Sequence, residues 1–437
     1  MPPKFAGSSG GQNWLGSGQG GNIIEGRSAH ALVGAAQESS NSRTRASALQ
    51  HHKVKHRFTI DGSDALEARL GQTCERVLGG VQALVPAHKL EGLVLGGGYG
   101  RGEGGVLRTE AGDEPYNDLE FYVFMRGHRL LNDWKYQSPL AQFAQLLSPE
   151  AGLHVEFKID SLERLQRSPI SMFSYDLVAG HCVLAGGDEL FQSCQNHLDA
   201  QKIPLAEATR LLFNRCTGLL LAKEFLRRTQ LTIEQKDFIA RNIAKAQLAL
   251  GDAVLVVGGA YHWSCRERQK RLEQLDGSSL PALPWRQQVR RFHATGVEFK
   301  LHPQRLLKAT GQLEEDYRET STLALAVWLW LEARRLNCRF SSSDQYALSP
   351  VEKCPQTSRW RNYLLNLKTF GWKAALDSRC WRYPRERLFN ALVLLLWNSE
   401  GPHRPELAQC VQNQLRTDRS DWSSLVQAYK QSCPAYG

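Results

Sequence analysis

The sequence predicts a small α+β domain that is followed by an all-α helical bundle. Segments typical of strands, among them "LEGLVLGG", "NDLEFYVFM" and "LHVEFKID", are confined to the part of the chain before about residue 190. From Pro204 onwards the pattern changes to long segments with apolar side chains at i, i+3 and i+4 spacing. We therefore expect a small mixed sheet with helices in the N-terminal part, and helices alone after it.

The N-terminal elements surround one glycine-rich turn. The segment "SDALEARLGQTCERVLGGVQALV" has helical apolar spacing, and Ser63 or Asp64 is a suitable N-cap. "LEGLVLGG" predicts a short buried strand that ends in glycines, and "HCVLAGG" predicts a shorter strand late in the domain. "NDLEFYVFM" and "LHVEFKID" alternate acidic and apolar residues, which is typical of strands with one face in the core.

The helices of the bundle are predicted by four segments, "LAEATRLLFNRCTGLLLAKEFLRR", "IEQKDFIARNIAKAQLALGDAVLVV", "EEDYRETSTLALAVWLWLEARRL" and "PRERLFNALVLLLWN". The N-terminus is different, because it is rich in Gly, Ser, Gln and Asn and cannot bury enough apolar surface to offset the entropy of ordering. The predicted organisation is a disordered tail over residues 1–57, an α+β domain over residues 58–200 and a helical domain over residues 201–437.

The composition of the 437-residue chain is ordinary for a globular protein, with 42% hydrophobic and 22% charged residues. Its longest apolar runs, "LALAVWLWL" and "ALVLLLW", are much shorter than the roughly 20 residues that cross a bilayer, so we expect no membrane partner. The ten cysteines include no C-x-x-C pair, which predicts reduced thiols and a cytoplasmic location. The net charge of +10 fits a phosphate-rich ligand and, equally well, a general surface bias.

The glycine-rich turn satisfies G-x-G-x-x-G between Gly100 and Gly105, and Glu120 follows at the distance typical of a Rossmann dinucleotide site. Such a loop must open a long helix whose N-terminus holds the pyrophosphate. The intervening "VLRTEAGDEPYN" is broken by Gly112 and Pro115 and has no apolar stripe. We therefore reject the Rossmann interpretation.

The segment "NDLEFYVFM" places two acids two residues apart on a predicted strand. Side chains at i and i+2 share a strand face, so Asp118 and Glu120 project together while Leu119 and Phe121 face the core. Two adjacent carboxylates repel each other unless a divalent cation lies between them. Because a glycine-rich turn precedes the pair and can approach phosphates with its backbone, we expect an Mg²⁺ site that binds a nucleotide.

The residues "GGYGRGE…NDLEF" resemble the nucleotidyltransferase superfamily that includes DNA polymerase β, in which a Gly-Gly or Gly-Ser turn precedes an Asp-x-Asp/Glu strand. The turn "GYGRGE" is similar to that of the uridylyltransferases that modify nitrogen-signalling proteins. Two features differ from the pattern of those enzymes: the second acid is Glu120 instead of Asp, and the connection from turn to strand is longer. The resemblance implies a nucleotidyltransferase fold for the N-terminal domain.

The resemblance also implies a third acid, from a later strand, that acts as a metal ligand or as a base. "HVEFKID" offers Glu156 and Asp160 on one strand face. Glu156 lies between Val155 and Phe157, the setting of an acid on a core strand, whereas Asp160 stands beside Ser161 and suits a cap of the helix "SLERLQR". We favour Glu156 and keep Asp160 as the alternative.

For the nucleotide phosphates, the expected ligands are Gly97, Gly98, Gly100, Arg101 and Lys245. The glycines would let the backbone approach the phosphates. Arg101 lies within the turn and either holds a phosphate oxygen, anchored by Glu103, or forms an ion pair that shapes the loop. Lys245 lies mid-helix in the bundle, where superfamily enzymes often place a triphosphate-binding lysine, although a solvated lysine is the common alternative.

The implied activity is the transfer of a nucleoside monophosphate from an NTP to an unidentified acceptor, a protein or small-molecule hydroxyl, with release of pyrophosphate. Asp118, Glu120 and Glu156 would bind Mg²⁺, or Mn²⁺ in its place, and ATP is the default nucleotide. Nucleic acid is not favoured as a partner, because an RNA-tailing enzyme would need a more basic core. The alternative is a catalytically silent nucleotide-binding or regulatory, antitoxin-like module of the same fold.

Overall fold

The computed structural model describes residues 56–275, 283–304, 308–372, 379–398 and 405–433. Within these residues the N-terminal part is a small sheet with helices and the C-terminal part is mainly helical, as the sequence predicts. Residues 1–55 of the predicted tail lie outside the described part. Its last two residues, His56 and Arg57, belong to the described part, and His56 Nε2 lies 3.1 Å from the backbone oxygen of Tyr99.

The elements of the N-terminal part follow the predicted order and include a hairpin and a long helix that the sequence analysis did not predict. They are α1 (Asp64–Leu84), β1 (Leu90–Leu95), α2 (Gly97–Gly100), β2 (Gly105–Thr109), β3 (Gly112–Tyr116), β4 (Leu119–Met125), α3 (Arg129–Ala151), β5 (Val155–Asp160), α4 (Leu162–Arg167), α5 (Met172–Ala179) and β6 (Cys182–Ala185). Ser63 caps α1, because its side chain accepts a hydrogen bond from the Leu66 backbone at 3.4 Å.

The main sheet has the strand order β5-β4-β1-β6. β4 runs antiparallel to β1 and parallel to β5, so the sheet is mixed. The segment between the glycine turn and β4 forms the antiparallel hairpin β2–β3 instead of a crossover helix. A Rossmann unit needs parallel strands joined by a helix at this point, so the structure confirms that this interpretation is excluded.

The two faces of the main sheet pack against different helices. Leu119 and Phe121 are fully buried on one face, in a cluster that includes residues of α1 and α3. Tyr122 and Phe124 lie on the opposite face, in a cluster with residues of α4 and α5. Because side chains alternate along β4, Glu120 shares this second face with Tyr122.

The C-terminal part contains the predicted bundle helices together with shorter ones. Its helices are α6 (Leu205–Leu226), α7 (Ile233–Val257), α8 (Cys265–Gln274), α9 (Arg286–Leu301), α10 (Thr310–Leu336), α11 (Ser343–Leu348), α12 (Arg359–Phe370), α13 (Arg385–Trp397), α14 (Pro405–Leu415) and α15 (Trp422–Ser432). None of the helices in the described residues has both the length and the apolar character needed to cross a membrane. All ten cysteines are unpaired.

The helices α6 and α7 approach each other closely at Gly218. A Cβ atom at this position would lie 2.2 Å from Asn242 Oδ1, so a larger residue would require the Asn242 side chain to move. Arg215 lies one turn before Gly218 on α6, and Lys245 lies one turn after Asn242 on α7. Because the short connection makes these helices antiparallel, both cations extend from the same end of the contact.

Candidate functional site

Three carboxylates come together at one end of the strand pair β4–β5. Each of Asp118, Glu120 and Glu156 offers one oxygen, and the three oxygens lie within 4.8 Å of one another. The parallel register places Glu120 directly beside Glu156. Asp118 immediately precedes β4 and follows Asn117, whose φ of 77° turns the chain into the strand. The structure thus brings together the three acids that the sequence analysis selected.

Lys158 brings positive charge into this cluster. Lys158 Nζ lies 3.2 Å from Glu120 Oε1 and 3.3 Å from Glu156 Oε2. Tyr122 donates a hydrogen bond to the other oxygen of Glu120, at 3.2 Å. Burial alone would lower the pKa of Lys158, but the charges of Glu120 and Glu156 outweigh it and raise this pKa, so the lysine is positively charged.

The donor set of this cluster fits a hard divalent cation. All three groups are carboxylates, and oxygen ligands of this type are those that Mg²⁺ and Mn²⁺ prefer. Three carboxylates so close together repel one another, and a divalent cation between them would relieve this repulsion. The geometry therefore supports a metal site, without distinguishing Mg²⁺ from Mn²⁺.

Asp160, the alternative third acid, lies outside the cluster. Its carboxylate accepts two hydrogen bonds from Arg164, at 2.8 and 2.7 Å, and one from the Ser161 backbone at 2.9 Å. The cap of α4 is Ser161, whose side chain accepts from the Arg164 backbone at 3.2 Å. The prediction that Asp160 caps this helix was therefore wrong by one residue.

The glycines of the turn have different surroundings. Gly97 has a φ of +64°, and a Cβ atom there would lie 3.3 Å from Glu120 Oε2, so the backbone of the turn passes close to the acid cluster. Gly97 and Gly98 are partly exposed, whereas Gly100 is buried. A Cβ atom at Gly100 would lie 2.1 Å from the Leu95 oxygen, and its N–H already donates to the Gly96 oxygen at 3.0 Å. Gly100 is thus required for packing, and it has no free N–H for a phosphate.

Arg101 is occupied by an ion pair. Its Nη1 atom lies 3.3 Å from Asp176 Oδ2, and its side chain is only 12% exposed. Tyr261 donates to the same Asp176 oxygen at 3.2 Å, and the aliphatic part of Arg101 packs against Gly180. Arg101 thus forms an ion pair with Asp176, and its role toward a phosphate stays a prediction.

Glu103 joins the turn to the bundle. Its carboxylate accepts hydrogen bonds from Ser264 Oγ at 2.6 Å and from the Cys265 backbone at 2.8 Å, at the N-terminus of α8. Burial would raise the pKa of Glu103, but the charge of Lys300 and these hydrogen bonds lower it to about 2. The turn is therefore held in place by contacts that cross between the two parts of the chain.

Lys245 and Arg215 present positive charge from the bundle. Burial and the nearby charges of Arg215 and Arg241 lower the pKa of Lys245 to about 8, while Asp118 acts in the opposite direction. The charge of Asp118 acts on Lys245, so Lys245 lies within electrostatic range of this member of the acid cluster. Among the described residues, neither the Lys245 nor the Arg215 side chain forms a hydrogen bond or an ion pair.

The sequence analysis did not identify Arg215. Its position depends on the α6–α7 contact at Gly218, and a glycine three residues after an arginine on a helix gives only a weak signal of this. Lys245 was selected from the sequence, but its proximity to Arg215 could not be derived there. The two cations together are what makes this end of the bundle suitable for an anion.

Comparison with known proteins gave no match: no profile of a known family, no curated protein and no solved structure is similar to the chain at a significant level. The function is therefore inferred from the arrangement of the side chains. Carboxylates suited to a divalent cation form one cluster, and Lys245, on which Asp118 acts electrostatically, lies near a second cation, Arg215. Such an arrangement can bind a metal together with a polyphosphate.

Proposed function

We propose that the chain is an Mg²⁺-dependent nucleotidyltransferase, which transfers a nucleoside monophosphate from an NTP to a hydroxyl acceptor and releases pyrophosphate. The observation that carries the proposal is the convergence of Asp118, Glu120 and Glu156 beside a glycine turn, with Lys245 within electrostatic range of Asp118. The acids supply ligands for a cation, and the lysine supplies charge for phosphates. Unpaired thiols throughout the chain are consistent with a cytoplasmic enzyme.

In this proposal Asp118, Glu120 and Glu156 hold the divalent cation, which when bound neutralises charge on the nucleotide phosphates. The protein's own contribution is to keep these carboxylates in place. Adjacent positions on two paired strands fix Glu120 and Glu156, and the start of β4 fixes Asp118. Positioning of this kind supplies much of the rate enhancement when little covalent chemistry is asked of the protein.

Glu156 is the proposed general base. Its side chain is 34% exposed, whereas that of Glu120 is 11% exposed, so an acceptor hydroxyl can reach Glu156 more easily. Glu156 takes the proton of this hydroxyl as the oxygen forms a bond to the α-phosphorus. The bond from that phosphorus to the pyrophosphate oxygen breaks, and pyrophosphate leaves.

Lys245 and Arg215 are the proposed ligands of the triphosphate. Burial, and after it the charge of Arg215, lowers the pKa of Lys245, and an anion bound between the two cations would offset both costs. They then stabilise the charge that develops on the leaving pyrophosphate. Gly97 and Gly98 stay in the proposal as positions where the backbone approaches the phosphates, whereas Gly100 and Arg101 have structural contacts instead.

The test is calorimetric titration of the full chain with non-hydrolysable ATP, GTP, CTP and UTP analogues, with Mg²⁺ and with EDTA. We expect saturable binding that requires Mg²⁺ and is lost in the double variant Asp118→Asn/Glu120→Gln. The matched control is Asp188→Asn/Glu189→Gln, which changes two exposed acids away from the cluster and should bind normally. A folded wild-type chain that binds none of the analogues would refute the proposal.

A measurement of enzymatic turnover distinguishes an active transferase from a catalytically silent module. A chain that binds the nucleotide with Mg²⁺ and releases pyrophosphate when hydroxyl acceptors are supplied is a transferase. Binding without pyrophosphate release from any acceptor, including small alcohols, amino acids and protein hydroxyls, would favour the catalytically silent nucleotide-binding module.

A further inference from the structure

Lys158 is a cation inside the acid cluster to which the proposed function assigns no role. Its side chain is 9% exposed, and its Nζ atom lies between Glu120 and Glu156. The Tyr122 ring lies beside it, with the ring centroid 5.4 Å and the hydroxyl 3.5 Å from Nζ. The strand register produces these contacts, because Lys158 pairs with Tyr122 and stands two residues after Glu156 on the same face. The pairing of β4 with β5 thus fixes Lys158 within the acid cluster.

The position between Glu120 and Glu156 is the one that a second divalent cation would need. In sites with two metal ions, shared carboxylates hold the ions about 3.5–4 Å apart. Here Lys158 Nζ already bonds one oxygen of each glutamate, and Tyr122 bonds the remaining oxygen of Glu120. A divalent cation bound to the same two oxygens would lie beside the ammonium group, and the like charges would repel each other.

The charges of the site lead to the same conclusion. The carboxylates of Asp118, Glu120 and Glu156 contribute three negative charges, and Lys158 contributes one positive charge. Lys158 therefore already neutralises part of the carboxylate charge that would attract a second divalent cation. Mg²⁺ is commonly bound through one or two carboxylates together with substrate phosphates, so a single cation suffices for the nucleotide.

We propose that Lys158 takes the place of a second divalent cation, so that the site binds a single Mg²⁺ or Mn²⁺ ion. This inference rests on the proposed function. Lys158 is a positioning residue: its ion pairs hold the side chains of Glu120 and Glu156 in place before any metal or nucleotide arrives. The base and one metal ligand are therefore arranged by the protein itself.

The test counts Mn²⁺ ions bound per chain, from the electron paramagnetic resonance signal of the free ion, with and without a non-hydrolysable ATP analogue. The full-length wild type is compared with Lys158→Met, which removes the charge, and with Lys158→Arg, which keeps it. Lys202→Met is the matched control, because Lys202 is 73% exposed and pairs only with Asp199 in the described part of the chain. Thermal unfolding of each variant checks that it is folded.

We expect one Mn²⁺ per chain in the wild type, in Lys158→Arg and in Lys202→Met, and two in Lys158→Met. Two ions in the wild type, or one ion with unchanged affinity in a folded Lys158→Met, would overturn the inference and leave the proposed function standing. No Mn²⁺ binding by the wild type under either condition would overturn both. If Lys158→Met does not fold, the count for the wild type still decides.

Discussion

The glycine turn and the acidic strands lie side by side, yet they use their charged residues in opposite ways. In the turn, Arg101 is paired with Asp176, and Glu103 accepts hydrogen bonds from α8. On the strands, three carboxylates share one lysine within a space of a few ångströms. The charged residues of the turn have partners, and Glu103 joins the two parts of the chain, whereas the carboxylates of the strands repel one another.

This difference indicates which half of the motif is the candidate site. A charged side chain that has an ion-pair or hydrogen-bond partner contributes to stability. A cluster of like charges in a folded chain marks a candidate site. Both halves looked equally functional in the sequence, since glycines, an arginine and acids all suit phosphates and metals. Substitutions in the two regions should therefore have opposite effects on stability, and this expectation can be tested.

Asp118→Asn should have the largest effect, because it removes a metal ligand and one of three like charges. We expect pyrophosphate release to fall about 1000-fold, the upper range for the loss of one electrostatic group in an active site. In EDTA the melting temperature should rise or stay the same, since repulsion within the cluster decreases. Pyrophosphate assays and thermal unfolding measure the two effects. A variant with a lower melting temperature and a normal rate of pyrophosphate release would show that Asp118 has a structural role instead.

Glu103 should show the opposite behaviour, with an effect on stability at low pH. Its pKa is lowered from 4.5 to about 2 in the folded chain, so the unfolded chain binds the proton more readily. The stability it contributes is complete above pH 4.5, and about 3 kcal/mol of it is lost as the pH falls towards 2. Urea unfolding between pH 3 and 7 measures this loss.

Glu103→Gln supplies the control for that measurement. It keeps the size of the side chain but removes the charge, so the variant should be less stable at pH 7 and should lose less stability on acidification. If the unfolding free energies of the wild type and of Glu103→Gln decrease equally below pH 4.5, protonation of Glu103 is not the cause of the acid destabilisation.

The acids could be predicted from the sequence because strand periodicity is local. Alternation in "NDLEF" and "HVEFKID" was enough to place Asp118, Glu120 and Glu156 on sheet faces, and the glycine turn was evident from its composition. The long helices were equally accessible, since their apolar spacing repeats over many residues. The β2–β3 hairpin was not predicted, because its strands are short and carry no clear alternation.

Contacts between distant segments could not be predicted in this way. The role of Lys158 depends on the pairing register of β4 and β5, and the pair of Arg101 with Asp176 joins residues far apart in the chain. Arg215 depends on how closely α6 and α7 pack at Gly218. In each case the sequence shows the residue but does not show which partner it contacts. The sequence therefore gave no reason to expect that Arg101 pairs with Asp176.

Lys245→Met should have a smaller effect than Asp118→Asn, because it removes one charge opposite the cluster and leaves the metal ligands unchanged. We expect the affinity for the nucleotide with Mg²⁺ to fall about tenfold, which corresponds to about 1.4 kcal/mol. The matched control is Lys236→Met, on the same helix nearer its N-terminus, which should bind normally. Calorimetry at pH 7 makes the comparison.

The dependence of binding on pH distinguishes a phosphate contact from a structural lysine. The pKa of Lys245 in the free chain is about 8, because burial and the charges of Arg215 and Arg241 disfavour its ammonium form. A bound triphosphate favours that form, so the wild-type affinity should fall as the pH rises above 8, by up to about tenfold per pH unit. Lys245→Met should show a weaker dependence over the same range. Equal slopes for the two proteins would mean that the bundle supplies no phosphate ligand at this position, and the acid cluster would then have to bind the nucleotide without it.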